Sequence, residues 1–439
     1  MSDTVANPDF TSASTSRDAQ GHLLNPSDIA IGVVIGRSSE FFDFFVFAIA
    51  AVLVFPSRVF PFVDPVTGVL YSFAIFALAF IARPFGTWLF MAVDRSHGKS
   101  TKLTIALLLL GTSTVVVAFL PSYDSIGAAS IWLLALFRIG QGVALGGTWD
   151  GLASLLAMNA PEKRRGLWAM VPQLGAPFGL IVASGLFAFF HGFLPSEEFH
   201  EWAWRFPFFV AFAINVVALF ARLRIVATPE YVHQFERREL QATRVRTTFR
   251  HNTRFIIVGA FAPLASFAMF HMVTVFPLSW VDLFTEQEVT RFLIIEGVCA
   301  VIFAVAIVAS GFLADTYGRR NVLGVCALLI AIFSGFAPSL LGQGFAGELI
   351  YMVFGFALLG VSFGQCSGAV ASNFPRNYRY TGSAIVSDLA WLFGAGFAPF
   401  VALYLSYHLG LVAAGLYLLS GAACTMLALR YNDLLDSRE

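Results

Sequence analysis

Charged residues are scarce in this chain. Asp, Glu, Lys and Arg make up 12% of its 439 residues, whereas about a quarter is usual for a soluble globular protein. The apolar residues fall in runs of about 20, the length that a helix needs to cross a hydrocarbon core. A membrane β-barrel would instead show short alternating segments. The composition therefore predicts a polytopic, all-α membrane protein.

Other signals are missing as well. The 27 basic and 27 acidic residues leave no net charge, which excludes the basic footprint of a nucleic-acid-binding protein. The sequence shows no catalytic dyad, nucleotide-binding loop or cluster of metal ligands, so we expect no enzyme, no cofactor and no metal site. The cysteines lie in apolar stretches without metal-ligand spacing, which predicts buried small side chains: Cys299, Cys326, Cys366 and Cys424.

The apolar runs predict twelve transmembrane helices in two groups of six. A polar start without a signal-peptide pattern predicts a disordered cytoplasmic tail over 1–27, and an arginine-rich stretch predicts a cytoplasmic linker over 225–253. The two six-helix bundles then cover 28–224 and 254–430, followed by a cytoplasmic tail over 431–439. The predicted helices are 28–55, 67–91, 103–120, 129–158, 164–191, 203–224, 254–281, 289–313, 321–341, 346–373, 380–406 and 409–430.

Lys and Arg are unevenly shared between the loops. One alternating set of loops is rich in them, and its longest member holds eight arginines from Arg222 to Arg254. The other set holds only Arg58, Arg205 and Arg291. Because cytoplasmic loops carry the excess of basic residues, the basic set and both chain termini are predicted to be cytoplasmic.

Two hydrophilic segments resemble each other. Each has an aspartate, a glycine three or four residues later and then basic residues, and each follows a long apolar run. This repetition predicts a duplicated membrane domain and a paired function for the two loops. The residues concerned are Asp94, Arg95, Gly98 and Lys99 in the first copy and Asp315, Gly318, Arg319 and Arg320 in the second.

This arrangement resembles the major facilitator superfamily, whose two six-helix halves carry a Gly-x-x-x-Asp-Arg-x-Gly-Arg-Lys loop after their second helix. Gly311 supplies the leading glycine of the second copy, whereas the first copy has Phe90 there. Four further motifs are similar to those of the metabolite:H⁺ symporter branch, which includes α-ketoglutarate, citrate, shikimate and proline/betaine permeases. They are Glu40-Phe41-Phe42-Asp43-Phe44, Arg83-Pro84-Phe85-Gly86, Glu201-Trp202-Ala203-Trp204-Arg205-Phe206-Pro207 and Arg379-Tyr380-Thr381-Gly382.

The resemblance, which runs from about 28 to 430, implies the twelve-helix fold and transport of a small metabolite. The fourth helix departs from the branch pattern, because Gly146-Gly147-Thr148-Trp149-Asp150 has its carboxylate two positions late, about 200° around a helix. Arg37 and Asp388 also stand where relatives often carry an uncharged residue and an asparagine.

Ionisable side chains inside a membrane helix are costly, so they point to function. Glu40 and Asp43 lie on one face of helix 1 at i, i+3 spacing, within reach of each other. Superfamily symporters often pair an acid of the first helix with an arginine of the fourth. We therefore hypothesise that Asp43 binds the coupled proton and that Arg138 is its counter-charge; a permanent structural ion pair is the alternative. Asp150 is either a second proton site or a packing acceptor.

Other polar and aromatic residues are candidates for substrate binding. Arg37 either pairs with Glu40 or faces an anionic substrate, and the sequence slightly favours the substrate. Arg83 is expected to serve packing, and Glu296 is expected to be a solvated or gate residue near the external face. The predicted substrate-binding residues are Arg37, Trp149, Gln173, His271, Asp388 and Trp391.

The paired loops have a physical rationale as a cytoplasmic gate. An aspartate at the inner end of helix 2 or helix 8 can accept hydrogen bonds from the first amides of a neighbouring helix and pair with nearby cations. Such bonds would hold the halves together while the substrate cavity faces outward. The alternative is that these loops only fix the topology, which requires Lys and Arg alone.

Together these features predict a proton-coupled symporter that imports a small organic acid or zwitterion by alternating access. The expected partners are that solute, H⁺ and membrane lipid, and the protein is expected to be a monomer in the inner (plasma) membrane of a bacterium. Two alternatives stay open. One is a proton-coupled exporter of amphipathic drugs or metabolites, and the other is a transport-dead sensor or receptor of the same fold.

Overall fold

A computed structural model describes residues 16–17, 23–24, 26–148, 156, 164–226, 241–366 and 374–431. Almost all of these residues are helical, as the sequence predicts. Two residues named above as candidates, Trp149 and Asp150, lie outside the described residues. In the N-terminal segment predicted as a tail, Ser16–Arg17 and Leu23–Leu24 form a two-stranded antiparallel pair, with Ser16 opposite Leu24.

We number the transmembrane helices 1 to 12 in chain order, and the first half contains six of them. Gly98 interrupts one long helical segment and divides it into helices 2 and 3. The short helices Phe55–Val59, Tyr123–Ile126, Ser196–Glu201 and Ala203–Arg205 lie between them. The bounds are Pro26–Leu53 (helix 1), Pro65–Ala118 (helices 2 and 3), Ala129–Gly147 (helix 4), Arg165–Met170, Val171–Leu174 and Gly175–Phe193 (helix 5), and Phe206–Val226 (helix 6).

The second half repeats this plan with more interruptions. Helix 7 breaks next to Pro263 and Pro277, where a proline removes a backbone donor, and helix 11 contains a π-helical turn. The bounds are Val245–Phe261, Leu264–Thr274 and Phe276–Phe284 (helix 7), Val289–Tyr317 (helix 8), Arg319–Leu340 (helix 9), Gly344–Phe363 (helix 10), Arg376–Ala390, Trp391–Gly396 and Ala398–Leu409 (helix 11), and Leu411–Ala414 and Gly415–Arg430 (helix 12).

Length and hydropathy alone identify ten membrane-spanning stretches among the described residues. One of them, Pro65–Ala118, holds two helices. Helix 1 is absent from the ten because Arg37, Glu40 and Asp43 interrupt its apolar length. Counting both gives the twelve predicted helices. Helix 7 begins at Val245 rather than at 254, within the stretch predicted as linker.

The repeated loops share a backbone conformation. Gly98 and Gly318 each have φ = 82°, in a region that is open almost only to glycine. At each of them the chain turns from one transmembrane helix directly into the next. The second glycine of the motif therefore has the same structural function in both copies.

The missing first glycine of the motif also has a structural explanation. Gly311 brings helix 8 against helix 5, because a β-carbon there would lie 2.9 Å from the Leu167 α-carbon. In the first copy the phenyl ring of Phe90 lies over Gly147 of helix 4, where a β-carbon would lie 2.5 Å from the ring. The glycine that allows close packing has thus moved to the neighbouring helix.

From Ser39 to Leu53, helix 1 lies inside the molecule rather than at its surface. Its phenylalanines are all buried, with no side chain more than 5% exposed. The sequence predicts that most of these rings pack on lipid or on neighbouring helices. In the structure all of them pack on neighbouring helices, because helices 2, 5 and 6 surround helix 1 and helix 7 covers its remaining side. These residues are Phe41, Phe42, Phe44, Phe45 and Phe47.

Candidate functional site

Two arginines bind Glu40, the first member of the Glu40–Asp43 pair in helix 1. Arg222 of helix 6 places Nη2 2.5 Å from Glu40 Oε1 and donates from Nη1 to the Thr148 carbonyl at 3.0 Å. Arg37 makes a second ion pair with Glu40 one turn away. Of the two partners that the sequence leaves open for Arg37, the structure shows the internal one, Glu40. Arg222, which the sequence counts among the cations of the cytoplasmic loops, is a buried residue near the end of helix 6.

Asp43, one turn further along helix 1, has a different environment. Its Oδ2 accepts a hydrogen bond from Asn215 Nδ2 of helix 6 at 2.7 Å, and Asn215 Oδ1 accepts one from Ser39 at 2.6 Å. Asp43 is buried and makes no ion pair with any described residue. These two carboxylates therefore differ: Glu40 is neutralised by cations, and Asp43 is held by a neutral amide.

Arg138 of helix 4 is buried among neutral groups. It donates from Nε to the Phe76 carbonyl at 3.1 Å and from Nη1 to Gln141 Oε1 at 2.8 Å. Its guanidinium also lies over the rings of Phe47 and Phe76, at 4.1 and 4.5 Å from their centroids, in cation–π geometry.

The direct ion pair predicted between Arg138 and Asp43 is not present. Gln141 instead donates to Thr114 Oγ1 at 3.0 Å, and Thr114 lies next to the Asp43 carboxylate. Gln141 and Thr114 thus lie between Arg138 and Asp43, and Asp43 Oδ1 has no hydrogen-bond partner among the described residues. The physical reason is that Gln141, one turn from Arg138 on the same helix, accepts a hydrogen bond from the guanidinium. This bond holds the Arg138 side chain away from the Asp43 carboxylate.

An aromatic cluster fills the centre of the molecule, where the two halves meet. Trp391 lies in it, with ring centroids 4.8 Å from Phe267 and 5.2 Å from Phe270. His271 also lies there, and its Nδ1 is 2.8 Å from the Ala395 carbonyl, to which it donates. We define the central aromatic cluster as Phe41, Phe44, Phe45, Phe76, Phe80, Phe267, Phe270, His271, Phe363 and Trp391.

Asp388, a predicted substrate ligand, is paired with the other half of the molecule. Its Oδ1 lies 2.8 Å from Arg83 Nε, and its Oδ2 accepts from Thr87 Oγ1 at 2.5 Å. Both partners belong to helix 2. In this structure Asp388 therefore joins the halves on the cytoplasmic side of the central aromatic cluster, and Arg83, predicted as a packing residue, is its counter-charge.

The first loop copy also contacts the second half. Asp94 Oδ2 lies 3.0 Å from Lys99 Nζ and 3.3 Å from Lys102 Nζ, and it accepts from the Tyr380 hydroxyl at 3.1 Å. Tyr380 belongs to helix 11. Arg95 reaches the Thr243 carbonyl, at the start of helix 7, at 3.0 Å. The predicted gate residues of this copy thus bind across the interface, although Asp94 bonds a tyrosine rather than helix amides.

The second loop copy makes the contact that the sequence predicts. Asp315 accepts hydrogen bonds from the backbone N–H groups of Gly166 and Leu167, at 2.6 and 3.3 Å, at the first turn of helix 5. The adjacent arginines bind nearby groups of their own half: Arg319 Nε lies 3.4 Å from Gln365 Oε1, and Arg320 Nη2 donates to the Leu429 carbonyl at 2.9 Å.

The halves also meet on the external side. His191 of helix 5 and Thr290 of helix 8 are 2.9 Å apart. Deeper in the membrane, Ser184 of helix 5 donates to Glu296 Oε2 of helix 8 at 3.0 Å. Glu296 is fully buried, so the expectation of a solvated residue is wrong, because helix 5 covers this face of helix 8. Contacts between the halves therefore exist on both sides of the central aromatic cluster.

Sequence reasoning missed several members of the site. Asn215 and Arg222 lie seven residues apart, which places them on one face of helix 6, and that face contacts Asp43 and Glu40 of helix 1. Gln173, a predicted substrate ligand, is buried in the 3₁₀ turn of helix 5 against helix 1. No group of three His, Cys, Asp or Glu side chains within the described ranges could hold a metal ion.

Comparisons with known proteins identify the family. The sequence profile of the Major Facilitator Superfamily matches residues 33–399. The chain is 35% identical over 413 residues to the inner membrane metabolite transport protein YhjE of Escherichia coli, covering 91% of this chain and 92% of that protein. It is 28% identical over 416 residues to the Escherichia coli shikimate transporter, covering 92% and 94%.

A solved structure shows the same architecture. The crystal structure of a D-xylose-proton symporter superposes with a TM-score of 0.69 at 18% identity, covering 93% of this chain and 97% of the other. This likeness supports the fold, while the profile and the sequence relatives establish the family. The chain therefore belongs to the Major Facilitator Superfamily and is a multi-pass inner-membrane transporter, not an enzyme.

Proposed function

We propose that the protein is a proton-coupled symporter that imports a small organic acid or zwitterion by alternating access. The observation that carries this proposal is the difference between Glu40 and Asp43. Burying an ionised carboxylate costs several kcal/mol unless a cation compensates it. Glu40 has two arginines, whereas Asp43 bonds the neutral amide of Asn215. Asp43 is thus the carboxylate of this pair that can take up and release a proton.

The charge balance around helix 1 favours an anionic solute. Among the described residues, three buried or half-buried arginines, Arg37, Arg138 and Arg222, accompany the two carboxylates Glu40 and Asp43. Protonation of Asp43 increases this cationic excess. A carboxylate of the solute would restore the balance, because a guanidinium binds carboxylates with two parallel hydrogen bonds.

Arg138 is the arginine best placed to receive that carboxylate. Within the described part of the chain its hydrogen bonds go to neutral acceptors only, and its Nη2 has no hydrogen-bond partner. Gln141 and Thr114 lie between it and Asp43, so proton binding and anion binding would influence each other. The shikimate transporter among the relatives is named for a solute with one carboxylate, which agrees with this class.

The central aromatic cluster marks where the solute would enter. It lies between the halves, next to Arg138, and contains the predicted ligands His271 and Trp391. In alternating access the substrate site lies near the membrane midplane between two halves that rock against each other. We infer that Trp391 and Phe270 separate from Phe41 and Phe45 to admit the solute.

The same cluster favours one alternative. A large aromatic surface would suit an amphipathic solute, so proton-coupled export of amphipathic compounds is the second candidate function. The direction of transport separates the two: an importer accumulates solute in proteoliposomes with an acidic exterior, and an exporter loads inverted vesicles with an acidic interior. A sensor of this fold would bind a ligand without moving protons.

The test of the proposed function uses purified protein in proteoliposomes. A thermal-shift screen of carboxylates, betaines and aromatic acids first identifies a solute that stabilises the protein. Asp43→Asn should then abolish accumulation driven by a pH gradient but retain counterflow exchange, because exchange needs no net proton movement. Uphill uptake by Asp43→Asn would contradict the proposal.

Asp64→Asn is the matched control. Asp64 lies in the exposed loop before helix 2, and hydrogen bonds from the Thr67 side chain and backbone N–H hold the pKa of Asp64 below its usual value. It is therefore ionised at neutral pH and cannot serve as the proton carrier. Asp64→Asn should accumulate solute as the unchanged protein does.

A further inference from the structure

Glu296 is a buried carboxylate of the second half, and the proposed coupling through Asp43 does not involve it. It lies in helix 8, and it is 0% exposed. One carboxylate oxygen accepts a hydrogen bond from Ser184 of helix 5 at 3.0 Å, across the interface between the halves. The other oxygen, Oε1, has no hydrogen-bond partner among the described residues.

The titratable groups around Glu296 leave it without a counter-ion. On helix 8, Arg291 lies over the Phe345 ring at 3.8 Å, and Cys299 is a thiol. On helix 5, His191 bonds Thr290, and on helix 10 the buried titratable groups are the carboxyl of Glu348 and the phenol of Tyr351. The last segment of helix 7, Phe276–Phe284, carries Asp282. No ion pair to Glu296 is formed within the described ranges.

A single hydroxyl does not compensate an ionised carboxylate inside a membrane protein. The charged form costs several kcal/mol there, whereas a protonated carboxyl can both accept from and donate to the Ser184 hydroxyl. We infer that Glu296 is a second proton-binding site of this transporter, with Ser184 as its partner across the interface. The reaction is transfer of one proton from water to a carboxylate oxygen, and the reverse.

The location of the pair connects this proton to the motion of the halves. Ser184 and Glu296 lie between the external contact of His191 with Thr290 and the middle of the membrane. Separation of helices 5 and 8 on the external side would break both contacts and expose Glu296 to water. Glu296 would then exchange its proton with the external side only while that side is open. This role in transport rests on the proposed symport; the protonation itself does not.

Infrared difference spectroscopy tests the protonation directly. Full-length protein in lipid, without solute, is titrated from neutral to alkaline pH while the carbonyl stretch of protonated carboxyl groups is recorded. We expect Glu296→Gln to lose one component of that band. Glu288→Gln, at an exposed position just before the same helix, should lose none. Identical carboxyl bands in Glu296→Gln and the unchanged protein would overturn the inference, since Glu296 would then be ionised.

Ser184→Ala keeps the test valid if Glu296→Gln does not fold. This variant retains the carboxyl group but removes its hydrogen bond, so its protonated band should shift in frequency. An unshifted band would overturn the assignment of Ser184 as the partner.

Transport measurements then separate this inference from the proposed function. Glu296→Gln should retain counterflow but change the pH profile of uptake. A loss of packing alone would not change that profile. An unaltered pH profile would overturn a role for Glu296 in coupling. If no solute drives proton flux in the unchanged protein, the symport proposal fails, while the infrared result still decides whether Glu296 binds a proton.

Discussion

Arg83 Nε lies 2.8 Å from Asp388 Oδ1, and this ion pair joins helix 2 of the first half to helix 11 of the second. Both side chains are buried. Thr87, one turn after Arg83, donates a hydrogen bond to the other carboxylate oxygen of Asp388. Since the pair lies between the central aromatic cluster and the cytoplasmic loops, an inward-facing cavity could form only after these two residues separate.

We expect the Arg83–Asp388 pair to behave as a coupled unit. Arg83→Leu or Asp388→Leu alone leaves a buried charge without its partner and should cost about 3–5 kcal/mol of unfolding free energy. The double variant removes both charges, so its loss of unfolding free energy should be clearly smaller than the sum of the losses in the two single variants. Denaturant unfolding in detergent measures this coupling, and strictly additive losses would show that the pair contributes no interaction energy.

The second prediction concerns Asp315 and the cytoplasmic side. Asp315→Ala removes the acceptor of the Gly166 and Leu167 amides and should favour the inward-open state. Cys366 reports this opening, because it is buried beside Gln365, which bonds the Gly166 carbonyl at 3.3 Å. We expect a permeant maleimide to label Cys366 faster in Asp315→Ala.

The labelling background replaces the other cysteines, Cys299, Cys326 and Cys424, with serine. Asp64→Ala in the same background is the control, because Asp64 lies on the external side and contacts only its own helix start. Equal labelling rates in the two variants would contradict the gate role of Asp315.

Local sequence rules were sufficient where the structure depends on nearby residues. The Asp315 contact with helix amides and the shared conformation of Gly98 and Gly318 follow from the repeated motif, because a helix start and a positive φ are properties of a few adjacent residues. The burial of Arg222 could not be predicted in this way. The count of loop cations gives the side of the membrane, whereas the contact with Glu40 depends on a residue of a distant helix.

Local sequence rules could not predict which rings form the central aromatic cluster. Phenylalanine is apolar, so lipid and protein interior attract it similarly, and helix 1 carries it on several faces. Which rings meet Trp391 depends on how the halves dock. The partner of Arg138 depends on the same tertiary detail: Gln141 is close in sequence, but only the packing of helices 3 and 4 places Thr114 next to it.

The third prediction concerns Gly98 and Gly318. An L-residue at φ = 82° costs about 1–2 kcal/mol, and no atom within 4 Å of Gly98 adds a clash. Gly98→Ala and Gly318→Ala should therefore lower the unfolding temperature through backbone strain. Gly297→Ala is the control: this glycine lies within helix 8 with open space around it, so alanine should stabilise by about 0.8–1 kcal/mol. An equal decrease of the unfolding temperature in Gly98→Ala, Gly318→Ala and Gly297→Ala would exclude backbone strain as the cause.

The last prediction compares the two arginines that bind Glu40. The Arg222 side chain is 2% exposed and also bonds the Thr148 carbonyl, whereas the Arg37 side chain is 21% exposed. Arg37 is partly exposed, so water can solvate Glu40 in its place, and Arg37→Leu should cost about 1 kcal/mol or less. Arg222→Leu leaves Glu40 and a backbone carbonyl poorly compensated in the interior, and it should cost about 3–5 kcal/mol.

Arg222→Lys distinguishes charge from geometry at this position. A lysine keeps the positive charge but cannot reach Glu40 and the Thr148 carbonyl with the planar fork of a guanidinium. We expect its unfolding free energy to fall between those of the unchanged protein and Arg222→Leu. Adding Glu40→Gln to Arg222→Leu should recover part of the loss, because it removes the uncompensated carboxylate. If Arg37→Leu were the more damaging single change, Arg37 rather than Arg222 would be the main counter-charge of Glu40.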